Sequence, residues 1–312
     1  MFQGVDDKKL GNSTVALVKK DDRYAGVREV LHILFRTEGQ PDLIGKRVLV
    51  KPNLLSAHNP FASISADAVK AVLDSILPFN PKEVIVADGS AIGDTDEAFA
   101  NFGYRSELKG YPIKLVDLNE DEFVEVELLG IKGEKLKAKL SRLALESDFR
   151  ISLTLPKTHD FAILTLSAKN MVGCLVGGES KMKVHGVVKW SQIDYEKSVQ
   201  VIHKNIVALI NYLPPQLSII DGFRGMDCDG PDSGRIIDFR AFIASYDFLA
   251  ADSVCAKLMG FEPLEVGYIH YAHQRGLGNA DLSKVKIVGE RMENLQRSFK
   301  PHTRYEVQKR WR

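Results

Sequence analysis

The sequence predicts an α/β fold in which a mixed, largely parallel sheet lies between helices and carries an antiparallel hairpin insert. Three observations carry this expectation. Apolar, β-branched runs such as Val48-Leu-Val and Val84-Ile-Val-Ala alternate with longer stretches of helical period. The runs are continuous rather than alternating, which suits strands covered by helices on both faces. The segment 111–139 departs from this pattern, with two strand-like pieces meeting near Leu129-Gly-Ile-Lys-Gly, as in a hairpin. No repeat, low-complexity tract or proline-rich linker marks a boundary, so residues 1–312 read as one α/β domain or two interlocked lobes.

In chain order, strands are expected at 14–18, 47–51, 83–88, 113–117, 123–128, 150–155, 217–221, 239–245 and 285–288. Each is a short apolar run bounded by polar or turn residues. Helices are expected at 24–36, 66–77, 95–102, 140–146, 168–176, 192–212, 248–259 and 264–275. Asp94 with Glu97 resembles a capping box at the third helix, and Ser167 is the expected N-cap of the fifth. Gly173 and Gly177, four apart on that fifth helix, would allow a helix or a ligand to approach closely.

Composition narrows the function classes. A formal net charge of +1 gives no field that would draw the chain to nucleic acid or an acidic membrane, and the basic end 308–312 reads as a solvated tail. The first residues, Met-Phe-Gln-Gly-Val-Asp-Asp-Lys-Lys, lack the apolar core of a signal peptide, and no run is long and apolar enough to span a membrane. Cys174, Cys228 and Cys255 are odd in number and far apart, which fits a reducing cytoplasm without disulfides. A cytoplasmic location is expected.

Four expected strands end in chemistry-bearing residues. Strand 47–51 runs into Lys51-Pro-Asn53, strand 83–88 into Asp88-Gly-Ser90, strand 150–155 into Pro156-Lys157-Thr-His159, and strand 217–221 into Asp221-Gly. Ligands of open α/β sheets bind beyond the carboxyl ends of the strands, so parallel strands would gather these residues into one crevice. Lys157 and His159, two apart, project to the same side of an extended segment. The histidine can move a proton near neutral pH, while Lys157 and Lys169 can hold an anion. The bland alternative has Lys157 capping a helix end and His159 bonding a carbonyl. Lys169 and Asn170 also fall near a helix N-terminus, whose N–H groups could complete an anion site. The candidate site therefore comprises His159, Lys157 and Lys169 as catalytic groups, with Lys51, Asn53, Asp88, Ser90, Asn170, His185 and Asp221 contacting substrate.

Two other motifs carry less. Asp88-Gly-Ser-Ala-Ile-Gly lacks the phosphate-loop and dinucleotide patterns, and the acidic turn Asp94, Asp96, Glu97 opposes a phosphate. The loop 221–235 holds Asp227, Asp229 and Asp232, an oxygen-donor set for a divalent cation, although Gly and Asp also serve simple turns. The histidines lack a zinc spacing.

Taken in series, Lys51-Pro-Asn, Asp88-Gly-Ser, Leu155-Pro-Lys-Thr-His, Ala168-Lys-Asn-Met-Val-Gly, His185-Gly, Ile220-Asp-Gly, Asp229-Gly-Pro, Ala244-Ser-Tyr-Asp, Ala251-Asp and Gly276-Leu-Gly make the chain resemble the domain of unknown function 362 family. The resemblance runs from about Val15 to Val288. Some members are labelled iron–sulfur centre proteins, and the resemblance implies no reaction. This chain lacks the ferredoxin-like cysteine cluster of those members, so an intrinsic iron–sulfur centre is not expected. The leading expectation is an enzyme acting on a small anionic molecule. The rivals are a ligand-binding or redox-accessory protein, working as a homodimer or with a redox partner, and a divalent-metal enzyme built on the loop 221–235.

Overall fold

The computed structural model describes residues 11–312. The opening segment read above for a signal peptide falls in residues 1–10, outside the described residues. Fourteen strands are present among those described: β1 Ser13–Lys19, β2 Arg47–Pro52, β3 Glu83–Asp88, β4 Ile113–Asp117, β5 Phe123–Leu129, β6 Lys135–Ser141, β7 Phe149–Thr154, β8 Lys157–His159, β9 Ile163–Thr165, β10 Leu217–Gly222, β11 Gly225–Asp227, β12 Arg235–Ile237, β13 Ala241–Ser245 and β14 Val285–Gly289.

Eight of them form one sheet in the order β14-β1-β13-β10-β7-β2-β3-β4. Every neighbouring pair in it is parallel except those made by β13, which runs against both β10 and β1. The continuous apolar runs have the expected cause. Along β1, Val15 and Leu17 enter one core while Ala16 and Val18 enter the other. One core is completed by helices α1 (Arg23–Glu38) and α2 (Ala66–Ile76), through Val30, Leu34, Val69 and Ile76. The opposite core takes the helix Tyr195–Tyr212 through Ile202, Ile206 and Leu209, and the helix Phe248–Leu258 through Val254 and Leu258. Burying two such faces at roughly 25 cal/mol per Å² supplies the main drive to fold.

The antiparallel hairpin is β5–β6, with Val126, Leu128, Ala138 and Leu140 on its buried side. Ile113–Asp117 does not share it; this strand closes the main sheet beside β3. A four-stranded sheet, β12-β11-β8-β9, was not foreseen. Its strands have three residues each, too few for a period-two pattern to register. Other differences are local. The strand expected at 239–245 starts at Ala241, since Arg240 has φ +59° and cannot continue an extended run. The helix expected at 140–146 starts at Arg142, because Leu140 and Ser141 still pair in the hairpin, and the Ser141 side chain caps it.

The helix expected at 168–176 is broken. An α-turn, Ser167–Asn170, gives way to a 3₁₀ turn, Met171–Cys174, and a new helix, Gly177–Lys183, begins at Gly177 with φ +74°. Gly173 and Gly177 therefore do not share one helical face.

Candidate functional site

The strand ends meet as the parallel order requires. β2 lies between β7 and β3, so Lys51 at its end reaches Asp88 at the end of β3, Nζ to Oδ1 2.6 Å. Asp88 also accepts hydrogen bonds from the backbone N–H groups of Leu54 (2.6 Å) and Gly89 (2.8 Å). Asn170 joins the strands: its Oδ1 accepts from Lys51 Nζ and from Asn53 Nδ2, each 3.1 Å, and its Nδ2 donates to Lys51 O and to Ser152 Oγ. Asn53 Oδ1 in turn accepts from Lys157 Nζ at 2.8 Å, and Ala62 O accepts from the same ammonium at 2.7 Å. Asp88, Lys51, Asn170, Asn53 and Lys157 thus form one buried network. Gly173 permits it: a Cβ there would stand 2.2 Å from Asp88 Oδ1 and 2.6 Å from Lys51 Nζ.

This network underlies a cavity of about 760 Å³, lined among others by Asn53, Asp88, Lys157, His159, Asp160, Lys169, Asn170, Lys181 and His185. Three lysines border it, and burial lowers each from its ordinary value: Lys157 to about 7, Lys169 to about 8 and Lys181 to about 8. Their neighbours differ. Lys157 is held by two carbonyl oxygens and is wholly shielded from solvent. Lys181 donates to Leu175 O at 2.7 Å and to Asn119 Oδ1. Lys169 is only partly buried, and its ammonium has no hydrogen-bond or ion-pair partner among the described residues.

His159 sits at the end of β8, in a tight reversal into β9. Its Nδ1 accepts from the backbone N–H groups of Phe161 (3.0 Å) and Ala162 (3.1 Å). The reversal needs Ile163 at φ +67°, a conformation costly for a β-branched residue and therefore held by its surroundings. Burial, then the charge of Lys169, lowers the imidazole to about 4. It is neutral at pH 7, and with Nδ1 accepting, its proton resides on Nε2. The Asp160 carboxylate lies 3.0 Å from the same Nδ1 and is positioned to pair with the ring only when that ring is protonated. His185, its ring centroid 6.4 Å from that of His159, is lowered to about 3 by burial and Lys169, against a weaker opposing effect of the Met182 backbone.

Several expected residues stand elsewhere. Lys51 lies behind the cavity wall, consumed by Asp88 and Asn170. Ser90 does not line the cavity; its backbone N–H donates to Thr95 Oγ1 at 3.0 Å. Asp221, at the end of β10, pairs with Arg23 of α1 at 2.9 Å, away from the cavity. The N–H groups of Ser167 and Ala168 are not free for a ligand, because they donate to the two oxygens of the Asp252 carboxylate at 2.7 and 2.9 Å. Ser167 is the first residue of that turn rather than its cap. Asp94 does cap its helix, accepting from Glu97 N at 2.9 Å.

In the loop after β10, Asp227 holds Arg235 through both oxygens, Asp229 accepts from Thr303, and Asp232 accepts from Asn59. Asp229 and Asp232 border the cavity mouth, and Asp227 does not. No three His, Cys, Asp or Glu side chains converge among the described residues. Sequence reasoning missed Lys181, for which no element was expected, and His302 with Arg304, which arrive from the C-terminal segment. It also missed Asp160, whose adjacency to His159 was a usable signal. Among the described residues no helix is long and apolar enough to cross a membrane.

Comparison with known proteins adds a family and several likenesses. The model of a family described as a domain of unknown function (DUF362) matches residues 48–257. The chain is 26% identical over 234 residues to a thylakoid-associated protein of Synechocystis sp., covering 75% of this chain and 69% of that protein. Among solved structures, the lactate racemase apoprotein from Thermoanaerobacterium thermosaccharolyticum aligns at 17% identity with a TM-score of 0.49, over 83% of this chain and 59% of that one. A protein from Thermotoga maritima aligns at 14% identity with a TM-score of 0.44, over 82% of this chain and 60% of that one. This chain spans less than two thirds of the length of either solved protein.

Proposed function

The chain belongs to the domain of unknown function 362 family, whose name carries no reaction, and from the site itself we propose an enzyme that binds a small anionic metabolite and moves a proton on it. One observation carries the reading: Lys169 presents an unpaired ammonium to a cavity whose other lysines, Lys157 and Lys181, are already held. Even a partly buried charge without a partner is costly, and a carboxylate or phosphate would lower that cost. Lys181, lowered only to about 8, adds positive potential from the wall.

The histidines divide the remaining work. With Nδ1 committed to two backbone donors, His159 offers Nε2–H, a neutral donor suited to a substrate carbonyl or hydroxyl oxygen. His185 lines the cavity and is neutral at pH 7; it is assigned the proton transfer, with a bound anion offsetting the Lys169 charge that helps to hold the ring at about 3. The buried free thiols Cys174 and Cys255 suit a reducing cytoplasm, where we place the reaction.

The test is exchange of carbon-bound hydrogen in D₂O across a panel of carboxylate and phosphate-ester metabolites, with binding followed by calorimetry. Wild type is expected to exchange at least one compound. His185→Ala should bind that compound and not exchange it, while Lys169→Ala should weaken binding at least about tenfold (~1.4 kcal/mol) and Lys169→Arg should restore most of it. Unchanged binding in Lys169→Ala would overturn the reading. Binding without exchange in wild type would leave a ligand-binding protein in place of an enzyme.

A further inference from the structure

A metabolite of two or three carbons held at Lys169 leaves most of the cavity unfilled. A volume of about 760 Å³ lies within the ~300–1,000 Å³ range of sites that enclose drug-sized ligands. The unfilled part has a distinct character. Its more exposed lining includes the apolar Trp190, Ile92, Met182 and Pro231 beside the polar Asp229, Asp232 and Arg304, whereas Lys157, Lys181 and Asn170 are buried. Trp190, in the 3₁₀ turn Trp190–Gln192, is 58% exposed, and Ile92 is 43% exposed. The chain's other tryptophan, Trp311, is 1% exposed. An aromatic side chain of that size left in water at a cavity mouth is the informative kind of exposure, since indole offers a large contact area at little conformational cost.

The ring is also backed. His185 packs against Trp190 with centroids 5.2 Å apart at 54°, and Phe161 packs against His185 at 4.9 Å. Trp190 therefore rests against the half-buried His185, itself packed on the buried Phe161, and keeps more than half of its surface exposed. An unpaired ammonium and an exposed indole lining one cavity fit a ligand with an anionic group and a ring.

We infer that the site takes an anion joined to a planar aromatic or heteroaromatic ring, with the anionic group against Lys169 and the ring stacked on Trp190. The inference rests on the anion reading of this site and adds the class of ligand. It is tested on the full chain by calorimetric titration with phenyl phosphate and benzoate against inorganic phosphate and acetate, with tryptophan emission followed in parallel. The aryl anions are expected to bind about tenfold tighter than the plain ones (~1.4 kcal/mol) and to quench emission. Trp190→Ala should abolish that preference, Trp190→Phe should retain most of it, and neither variant should show the emission change. Equal affinities for aryl and plain anions, or a preference that survives in Trp190→Ala, would overturn the ring subsite while leaving the anion reading intact. Failure of all four anions to bind, or phosphate binding indifferent to Lys169→Ala, would sink the anion reading and this inference with it.

Discussion

Lys51, Lys157 and Lys169 were equivalent as letters in the sequence, and their surroundings make them different groups. Lys51 is fully buried against Asp88, Lys157 is fully buried against carbonyl oxygens, and only Lys169 keeps its ammonium unpaired. The sequence showed that lysines terminate the strands. It could not show where four-carbon side chains turn, because that depends on Asn53 and Asn170 from separate segments. The Lys51–Asp88 pair is accordingly read as structural. Lys51→Met leaves Asp88 buried without its counter-charge and should cost ~3–5 kcal/mol in chemical denaturation, the usual penalty for breaking a buried pair. Lys51→Met/Asp88→Asn, which removes both charges, should recover much of the loss. A loss below about 1 kcal/mol in the single variant, the scale of a surface pair, would show the pair to be dispensable.

At the scale of elements, the long strands and helices were legible because each repeats its period several times, as in β2, β3 and α2. The site was less so, since short pieces build it. β8 and β9 have three residues each, and the expected helix at 168–176 is two separate turns with a new helix starting beyond them at Gly177. What fixes the first of these turns is Asp252, in the helix Phe248–Leu258, more than eighty positions away. Its carboxylate occupies the N–H groups that sequence reasoning offered to a ligand, and so holds Lys169 one residue further on. Asp252→Ala should destabilise the chain by ~1 kcal/mol, within the 0.5–2 kcal/mol typical of a lost cap. It should also weaken anion binding through misplacement of Lys169, and Asp252→Asn, which keeps one acceptor, should be milder in both. Calorimetric affinity unchanged in Asp252→Ala would mean that Lys169 does not depend on this cap.

For the whole molecule, the cost of enclosing the lysines appears as a pH dependence of stability. Lys157, Lys169 and Lys181 titrate near 7, 8 and 8 when folded and near 10.5 when unfolded. Between those values the unfolded chain binds more protons, so their contribution raises stability as pH rises from about 7 and is complete above about 10.5. Burial raises Cys174 to about 12 and Cys255 well above its ordinary value, and these thiols act oppositely once the unfolded chain ionises them, above about pH 8.5. Thermal denaturation from pH 7 to 9 in a buffer without binding anions separates the two. Lys157→Met should show a smaller upward slope than wild type, and an identical slope would mean that Lys157 is charged in the fold. Anion affinity should move the other way, falling above about pH 8 as Lys169 loses its proton.

The order of strands also has a consequence for biosynthesis. β1 pairs only with β13 and β14, Ala16 standing opposite Ala244 and beside Val288. A ribosome delivers β1 before the strands that will flank it, and during that interval an apolar segment waits with both edges unpaired. The central strands β2, β3 and β7 can assemble in the meantime, so the cavity wall can begin to form before the first strand is docked. A nascent chain halted before β13 would expose Val15-Ala-Leu-Val18 to other chains, a segment that a chaperone would have to cover.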